Sequence, residues 1–233
     1  MSPHPTWLTV ATSVLLALVG GYVDVVGFVL LFGLFVNHAT GNLVMLGVSL
    51  AGEGQGLALK LLSLPTFIIA AGVTYACVRR RHDRGQGSEA LILLLQAAML
   101  VVFARLLNNA LPAARPDDAA VILAGLAGVS AMAIQNVGAR AVFTQMAPTT
   151  IMTGNVTQIA IDLVDLLRSR KAIERNLIGR LIKTWPPVAG FAAGAVAGAF
   201  GVVRAGAYSL LPAAAIVAVL GGLYASAPRA ARA

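Results

Sequence analysis

Of the 233 residues of this chain, 58% are hydrophobic and only 11% are charged, and the mean hydropathy is +0.84. An ordinary soluble domain has roughly a quarter charged residues, and a globule of this size cannot bury so much apolar surface. The composition therefore excludes a soluble enzyme, a disordered protein and a disulfide-stabilised secreted domain. It predicts an all-α polytopic membrane protein with a single membrane domain over residues 1–233.

The net charge of +8 fits a membrane protein better than a nucleic-acid-binding protein. Of the 17 Lys and Arg residues, four lie in Arg79–Arg84 and six in Arg168–Lys183. Basic loops beside apolar spans set the orientation of membrane proteins and attract anionic lipids. We therefore expect the lipid bilayer as a partner, with anionic lipid head groups at these two cytoplasmic loops, and no nucleic acid.

Six apolar stretches are long enough, or nearly so, to cross roughly 30 Å of hydrocarbon. In chain order they are Trp7–Leu31, Leu57–Val78, Ala90–Leu107, Ala119–Ala139, Thr184–Val203 and Ala205–Ala227. Two shorter apolar segments, Gly41–Ala51 and Ile151–Leu167, lie between them. The first is too short to cross at about 1.5 Å per residue, and Asp162 and Asp165 interrupt the second.

The order of these segments occurs twice. The tripeptide Thr-Gly-Asn at residues 40–42 recurs 113 residues later at 153–155, and the position of Asp24 recurs 112 residues later as Asn136. Each half contains a span, a short segment and two further spans, which predicts repeats over residues 7–111 and 119–227. Three spans per half would give the halves opposite orientations, as in the inverted repeats of transporters.

The basic residues select between two topologies. If both short segments dip into the bilayer and return, 13 basic residues lie inside and four outside, whereas eight spans give 11 against six. The positive-inside rule favours the first arrangement. It predicts six transmembrane helices plus two short broken or re-entrant helices, with both termini in the cytoplasm.

Each Thr-Gly-Asn start of a short helix is a candidate binding site. The start of a helix carries unpaired N–H donors and partial positive charge, which suit an anionic or polar solute. Thr or Asn can cap these donors, and Gly permits close approach. The alternative is a structural role, in which the caps only let a short helix end inside the protein.

Asp24 is the one charged residue in Trp7–Leu31, and an intramembrane carboxylate is by default a functional-site hypothesis. We predict that Asp24, Asn42, Asn136 and Asn155 line one buried polar site near the midplane. Of the two acids in the second short segment, Asp162 is expected to be more interior than Asp165. His38 is expected to be a loop histidine without a role. The candidate substrate-binding residues, none of them catalytic or metal-ligating, are Asp24, Thr40, Gly41, Asn42, Gln135, Asn136, Thr153, Gly154, Asn155, Gln158 and Asp162.

Gly190, Gly194 and Gly198 recur at every fourth position of one span. Such a small-residue face lets another helix approach closely. Packing within one chain is the simpler interpretation, and contact with a second copy in a homodimer is the alternative.

Taken together, several of these segments resemble the YoaK-type family of bacterial membrane proteins, a domain of unknown function. The residues that carry the resemblance are Gly20-Gly21-Tyr22-Val23-Asp24, Thr40-Gly41-Asn42, Gln135-Asn136, Thr150, Thr153-Gly154-Asn155, Thr157, Gln158 and Asp162. The resemblance extends from about Leu15 to Tyr224. It implies a multi-pass protein of the bacterial inner membrane, and it brings no established activity and no established site residues.

Two functions from different classes fit these features. The first is a small transporter or channel for a polar or anionic solute, favoured by the paired short helices and Asp24. The second is a non-transport structural or regulatory membrane protein whose polar residues only hold helices together. The sequence has no Gly-rich phosphate loop, His-Glu-x-x-His motif, nucleophile elbow or cysteine pair, so we expect neither an enzyme nor a cofactor.

Overall fold

The computed structural model describes residues 6–111, 115–150, 152–168 and 175–227, and the regular elements in these ranges are all helical. This confirms the all-α class. The α-helices in chain order are α1 (Thr6–Leu30), α2 (Gly41–Leu50), α3 (Leu57–Asp83), α4 (Glu89–Ala110), α5 (Ala119–Ala141), α6 (Met152–Arg168), α7 (Arg175–Ala205) and α8 (Leu210–Ser226).

Five helical stretches of the described chain are long and apolar enough to cross a membrane. Four of them are α1, α3, α4 and α5, and the fifth is the 50-residue stretch Leu177–Ser226, which includes α8 and most of α7. A straight helix of that length would measure about 75 Å, more than twice the hydrocarbon thickness. The chain instead turns between α7 and α8, where Gly206 adopts a φ of +51° that favours glycine.

Two predicted spans have different bounds in the structure. The span predicted at Thr184–Val203 begins earlier, at Arg175, so part of the predicted basic loop Arg168–Lys183 is helical. The span predicted at Ala205–Ala227 begins only at Leu210, because a 3-10 turn precedes it. Apolar length locates the part of a helix that can cross hydrocarbon, but helical hydrogen bonding continues into polar sequence.

Helices α1 and α7 pack with their backbones in contact, and the glycine stripe of α7 makes this possible. A Cβ on Gly194 would overlap the Leu18 carbonyl, and a Cβ on either neighbouring glycine of the stripe would lie under 3 Å from α1 backbone. The stripe therefore packs within the chain, and α7 runs parallel to α1 because the partners advance together. The three contacts in order are Gly190 with Val14, Gly194 with Leu18 and Gly198 with Tyr22.

Helix α8 returns along α1 in the opposite direction. Near the end of α8, Thr12 Oγ1 donates a hydrogen bond to the Tyr224 hydroxyl at 3.2 Å. Just before the start of α8, a Cβ on Gly201 would contact both Tyr22 and Ser209. As α1 advances from residue 12 to residue 22, its neighbours near α8 therefore go back from residue 224 to residue 209.

Helix α5 is also antiparallel to α1. Gln135 donates to the Leu16 carbonyl at 2.9 Å, whereas a Cβ on Gly125 would lie 3.6 Å from the Leu31 side chain just beyond the end of α1. The apolar core lies mainly between α1, α4, α5 and α8, and Phe103 of α4 is one of its largest fully buried side chains.

We expect Gly194→Ala to lower the free energy of unfolding by about 1–3 kcal/mol, because the added methyl group overlaps the α1 backbone. Chemical unfolding of the purified protein in detergent measures this. Gly179→Ala on the same helix is the matched control, since no atom lies within 4 Å of its added methyl group. Equal stability of the two variants would contradict close α1–α7 packing.

Candidate functional site

The loop 31–40, which joins α1 to α2, is held by the buried carboxylate of Asp24. Its Oδ1 atom accepts the backbone N–H of Asn37 at 2.8 Å, and its Oδ2 atom lies 2.6 Å from His38 Nδ1. An ionised carboxylate only accepts hydrogen bonds, so Nδ1 carries the proton of this contact when Asp24 is charged. Asp24 thus folds the loop back against α1.

His38, expected to have no role, is instead the side-chain partner of Asp24. This hydrogen bond raises the pKa of His38 above its ordinary value of 6.5, against the opposing effect of partial burial. The imidazole ring lies edge-on to the rings of Phe35 and Phe191, at centroid distances of 6.0 and 5.8 Å. The pair of Asp24 and His38 is separated by fourteen positions in the sequence, too far for a helical spacing signal to reveal it.

Asp24 and His38 line a cleft of about 500 Å³ between α1, the loop 31–40 and α7. Thr40 and Gly41 line the same cleft, so three of the candidate site residues meet there together with His38. The cleft therefore presents a carboxylate, an imidazole and a hydroxyl group on walls that are otherwise mostly apolar.

Asn42 closes the loop from its other end. Its Oδ1 atom accepts the Phe35 N–H at 2.9 Å, and its Nδ2 atom donates to the Phe35 carbonyl at 2.7 Å. Both polar atoms of the amide are therefore engaged by the loop backbone. Thr40 is exposed and makes no side-chain hydrogen bond to the start of α2, so Thr40 does not supply the cap that Thr or Asn was expected to provide.

The second half of the chain has an equivalent of the Asn42 contact. Asn155 Nδ2 donates to the Pro148 carbonyl at 2.8 Å, and Pro148 follows Phe35 by the same 113 positions that separate the two asparagines. Proline has no N–H, so only one of the two backbone bonds can form here. Helix α6 begins at Met152, which places Thr153, Gly154 and Asn155 inside its first turn rather than before it.

The contact between Asp24 and His38 also has an equivalent. Asn136 Oδ1 accepts a hydrogen bond from Thr150 Oγ1 at 2.7 Å, again across fourteen positions. The amide Nδ2 of Asn136 donates to the Met132 carbonyl at 3.0 Å within α5. The two halves thus use the same pattern, with an ionisable pair in the first half and a neutral pair in the second.

Gln135 connects the two halves. Its Nε2 atom donates to the Leu16 carbonyl at 2.9 Å and to Thr149 Oγ1 at 3.2 Å, and its Oε1 atom accepts from Gln96 Nε2 at 2.6 Å. All three side chains of this group are buried. Gln96 was not singled out from the sequence, where it is a single amide in an apolar run.

The loop 31–40 and the segment that follows α5 meet at Gly20 of α1. A Cβ on this glycine would lie 3.4 Å from Asn37 Nδ2, 3.4 Å from the Thr149 carbonyl and 3.5 Å from Gln135 Nε2. Asn37 is buried, and within the described chain neither polar atom of its side chain has a hydrogen-bond partner. Asn37 was missed in the sequence, although it aligns with Thr149 at the 112-residue offset.

Asp162 is fully buried, as expected for the more interior acid, and it joins α6 to α7. Its Oδ1 atom accepts from Arg180 Nε and Nη2 at 3.1 and 2.9 Å and from Gln158 Nε2 at 2.9 Å. The guanidinium of Arg180 lowers the pKa of Asp162, although burial alone would raise it. Asp162 and Gln158 are therefore engaged by α7.

A buried lysine, Lys60 of α3, was also missed in the sequence. Its Nζ atom donates to the Phe32 carbonyl at 3.0 Å, to Ser49 Oγ at 3.3 Å and to the Gln55 carbonyl. Phe32 has a φ of +54°, which is unusual for a bulky residue. Lys60 therefore fixes the sharp turn after α1 and ties it to the end of α2.

The hydrogen bonds described above engage Asp24 and Asn42 with the first loop and Asn136 and Asn155 with the segment after α5. That all four side chains line one site stays a prediction. Within the residues that the structure describes, no group of three or more His, Cys, Asp or Glu side chains could hold a metal ion.

Apolar helical stretches of membrane-crossing length, together with buried polar clusters where helices are interrupted, define a multi-pass helical membrane protein. The family described as "Protein of unknown function (DUF1275)" matches residues 12–223. The chain belongs to this family, which includes the YoaK-type proteins that its motifs resemble. No curated protein and no solved structure matches the chain.

We expect Asn42→Ala to lower the free energy of unfolding by about 1–3 kcal/mol, because it leaves the N–H and carbonyl of the half-buried Phe35 without their partners. Asn155→Ala should cost less, since one backbone bond is lost. Thr40→Ala is the control and should stay within about 0.5 kcal/mol of the parent protein. Unfolding in detergent ranks the three variants, and a Thr40→Ala loss as large as that of Asn42→Ala would overturn the assignment.

Proposed function

We propose that this protein is a small transporter or channel for a polar solute, with the cleft at Asp24 and His38 as its binding site. The observation that carries the proposal is the buried carboxylate that lines this cleft at an interruption between helices. Ionisable groups at membrane depth mark solute, ion or proton pathways, and transporter sites lie at broken helices. The Asp24 carboxylate makes a neutral or hydrogen-bond-donating solute a better fit than an anion.

The proposal includes six spans, with α2 and α6 as short re-entrant helices that do not cross. The helix directions support this count. Between α1 and α5 in the sequence, α3 and α4 each cross the membrane once, which makes α5 antiparallel to α1, as observed. A further crossing by α2 would make α5 parallel to α1. The same reasoning applies to α6, because α7 runs parallel to α1 and therefore opposite to α5.

We also infer that residues 7–111 and 119–227 are inverted repeats. Three observations support the inference: the opposite directions of α1 and α5, the equivalent asparagine contacts at Phe35 and Pro148, and the equivalent pairs at Asp24 and Asn136. A repeat that is inverted brings equivalent positions together around an axis in the membrane plane. The meeting of Asn37 and Thr149 at Gly20 fits such an axis.

The proposed location is the bacterial inner membrane, with both termini and the basic loops at Arg79–Arg84 and Arg168–Lys183 in the cytoplasm. The charge count over the loops and the positive-inside rule support this orientation. Anionic lipid head groups at these loops are proposed partners, and the protein is proposed not to be an enzyme. The glycine stripe, the sequence feature that suggested a homodimer, packs instead within the chain.

Cysteine labelling tests the orientation in a Cys77→Ala background, which is needed because Cys77 is exposed. Glu53→Cys lies between α2 and α3, Gln86→Cys lies between α3 and α4, and both positions are exposed. An impermeant maleimide added to intact cells should label Glu53→Cys and should label Gln86→Cys only after the membrane is opened. Labelling of Gln86→Cys in intact cells would contradict the proposed orientation.

A non-transport structural role is the second candidate, and one observation favours it. The amides of Asn42 and Asn155, which were predicted to face a solute, donate instead to backbone carbonyls of the loops. In this alternative, the contact between Asp24 and His38 likewise serves only to hold the loop 31–40 in place.

Solute flux into proteoliposomes separates the two functions. With urea, glycerol and formate as probes, we expect the protein to accelerate the entry of at least one, and Asp24→Asn to reduce that flux about tenfold or more, as loss of a charged hydrogen-bond partner implies. Asp165→Asn, on an exposed face of α6, is the matched control and should keep the flux.

The variants must first be shown to insert and unfold like the parent protein. A flux that is absent for all three probes, or that Asp24→Asn leaves unchanged while the protein stays folded, would favour the structural role.

A further inference from the structure

A second cavity lies between the beginning of α1, the segment that follows α5 and the first half of α7, and it shares no lining residue with the cleft at Asp24. Its volume of about 380 Å³ is in the range of small-ligand pockets. Most of its wall is apolar, with Val10 and Val14 on α1, Met146 on the connecting segment and Ile182 on α7. This apolar wall suits a hydrocarbon chain.

Polar groups without protein partners lie in the same wall. The Ser13 hydroxyl belongs to a residue only 6% exposed, and it has no hydrogen-bond partner in the described chain. Pro186 and Pro187 have no N–H, so the helical i→i−4 bonds to the carbonyls of Ile182 and Lys183 cannot form. A buried hydroxyl group without a partner is costly unless a ligand or water pairs with it.

Lys183 is the charged residue among the lining residues described, and they include no carboxylate. Its side chain is exposed. An exposed ammonium group at the edge of an apolar cavity favours a ligand with an apolar body and an anionic head.

The tryptophans indicate the depth of the cavity in the membrane. The chain has two tryptophans, Trp7 and Trp185, and their side chains are 63% and 59% exposed. Each tryptophan is close in sequence to a lining residue: Trp7 precedes Thr9 by two positions, and Trp185 is adjacent to Pro186. The parallel packing of α1 and α7 puts the two tryptophans at similar heights. Because exposed tryptophans concentrate at membrane interfaces, the cavity lies at the level of lipid head groups.

We propose that this cavity binds an anionic phospholipid. One acyl chain occupies the apolar wall, and the phosphate contacts the ammonium group of Lys183. An ester carbonyl of the lipid accepts a hydrogen bond from Ser13, and hydroxyl groups of a glycerol head can donate to the carbonyls freed by the two prolines. The site is independent of the transport proposal, because the two cavities share no lining residue. It rests on the anionic-lipid contact proposed above for the basic segment Arg168–Lys183 and assigns that contact to one cavity.

The two tryptophans are the natural reporters for a test. The protein is reconstituted in bilayers of fixed composition that contain either phosphatidylglycerol or phosphatidylcholine with brominated acyl chains, which quench tryptophan on contact. We expect brominated phosphatidylglycerol to quench more strongly than brominated phosphatidylcholine. Lys183→Gln should reduce this preference about fivefold, the effect of one basic residue near an anionic lipid.

Arg80→Gln is the matched control, because Arg80 is exposed near the end of α3 and does not line the cavity. It should leave the preference unchanged. Ala147→Leu and, separately, Val10→Phe narrow the cavity and should weaken quenching by the anionic lipid, and the exposed position of Val10 limits any effect on folding.

Equal quenching by the two lipids in the parent protein would overturn the proposal. So would a preference that folded Lys183→Gln retains in full, or one that Arg80→Gln removes equally, since either result assigns the effect to the general basic charge of the protein. Unchanged quenching in both cavity-narrowing variants would exclude the cavity as the place of contact.

Discussion

An interrupted helix inside an apolar protein leaves backbone N–H and carbonyl groups that must find partners, and the rest of this structure depends on how that requirement is met. In the first half, Asp24 accepts a hydrogen bond from the backbone N–H of Asn37, while Asn42 hydrogen-bonds to both the backbone N–H and the carbonyl of Phe35. Lys60 pairs the carbonyl at the sharp turn after α1. The loop 31–40 can therefore lie against α1 and α7, and the cleft between them follows from its position.

The width of that cleft depends on a second constraint, the close approach of α1 and α7. A Cβ on Gly21 would overlap the Phe191 carbonyl, so glycine is required on α1 as well as on α7. Phe191 then reaches the ring of His38 and forms the wall opposite the carboxylate. Without a tight helix pair, Asp24 and His38 would be more open to lipid, where an ionisable pair is costly.

The two halves follow one plan but differ in chemistry. The first half has an acid and an imidazole where the second has an amide and a hydroxyl, and Pro148 removes the N–H that Phe35 offers to Asn42. At this equivalent position the ionisable pair lies in the first half and the neutral pair in the second. The second half also contains an ion pair of its own, Asp162–Arg180, between α6 and α7.

Four features could be predicted from the sequence: the helical membrane class, the order of long and short helices, the two equivalent motifs and Asp24 as a buried acid. These follow from apolar length and from a repeat, which are local or periodic properties of the chain. The sequence could not assign His38, Asn37, Gln96 or Lys60, because each matters through contacts with residues that are distant in sequence or on another helix. A side-chain cap at Thr40 is absent because its backbone is helical, with φ −74° and ψ −25°, whereas a capping residue adopts an extended backbone. Which polar groups meet depends on the three-dimensional packing, because the approach of α1 to α7 and the directions of the helices are set by contacts between distant parts of the chain.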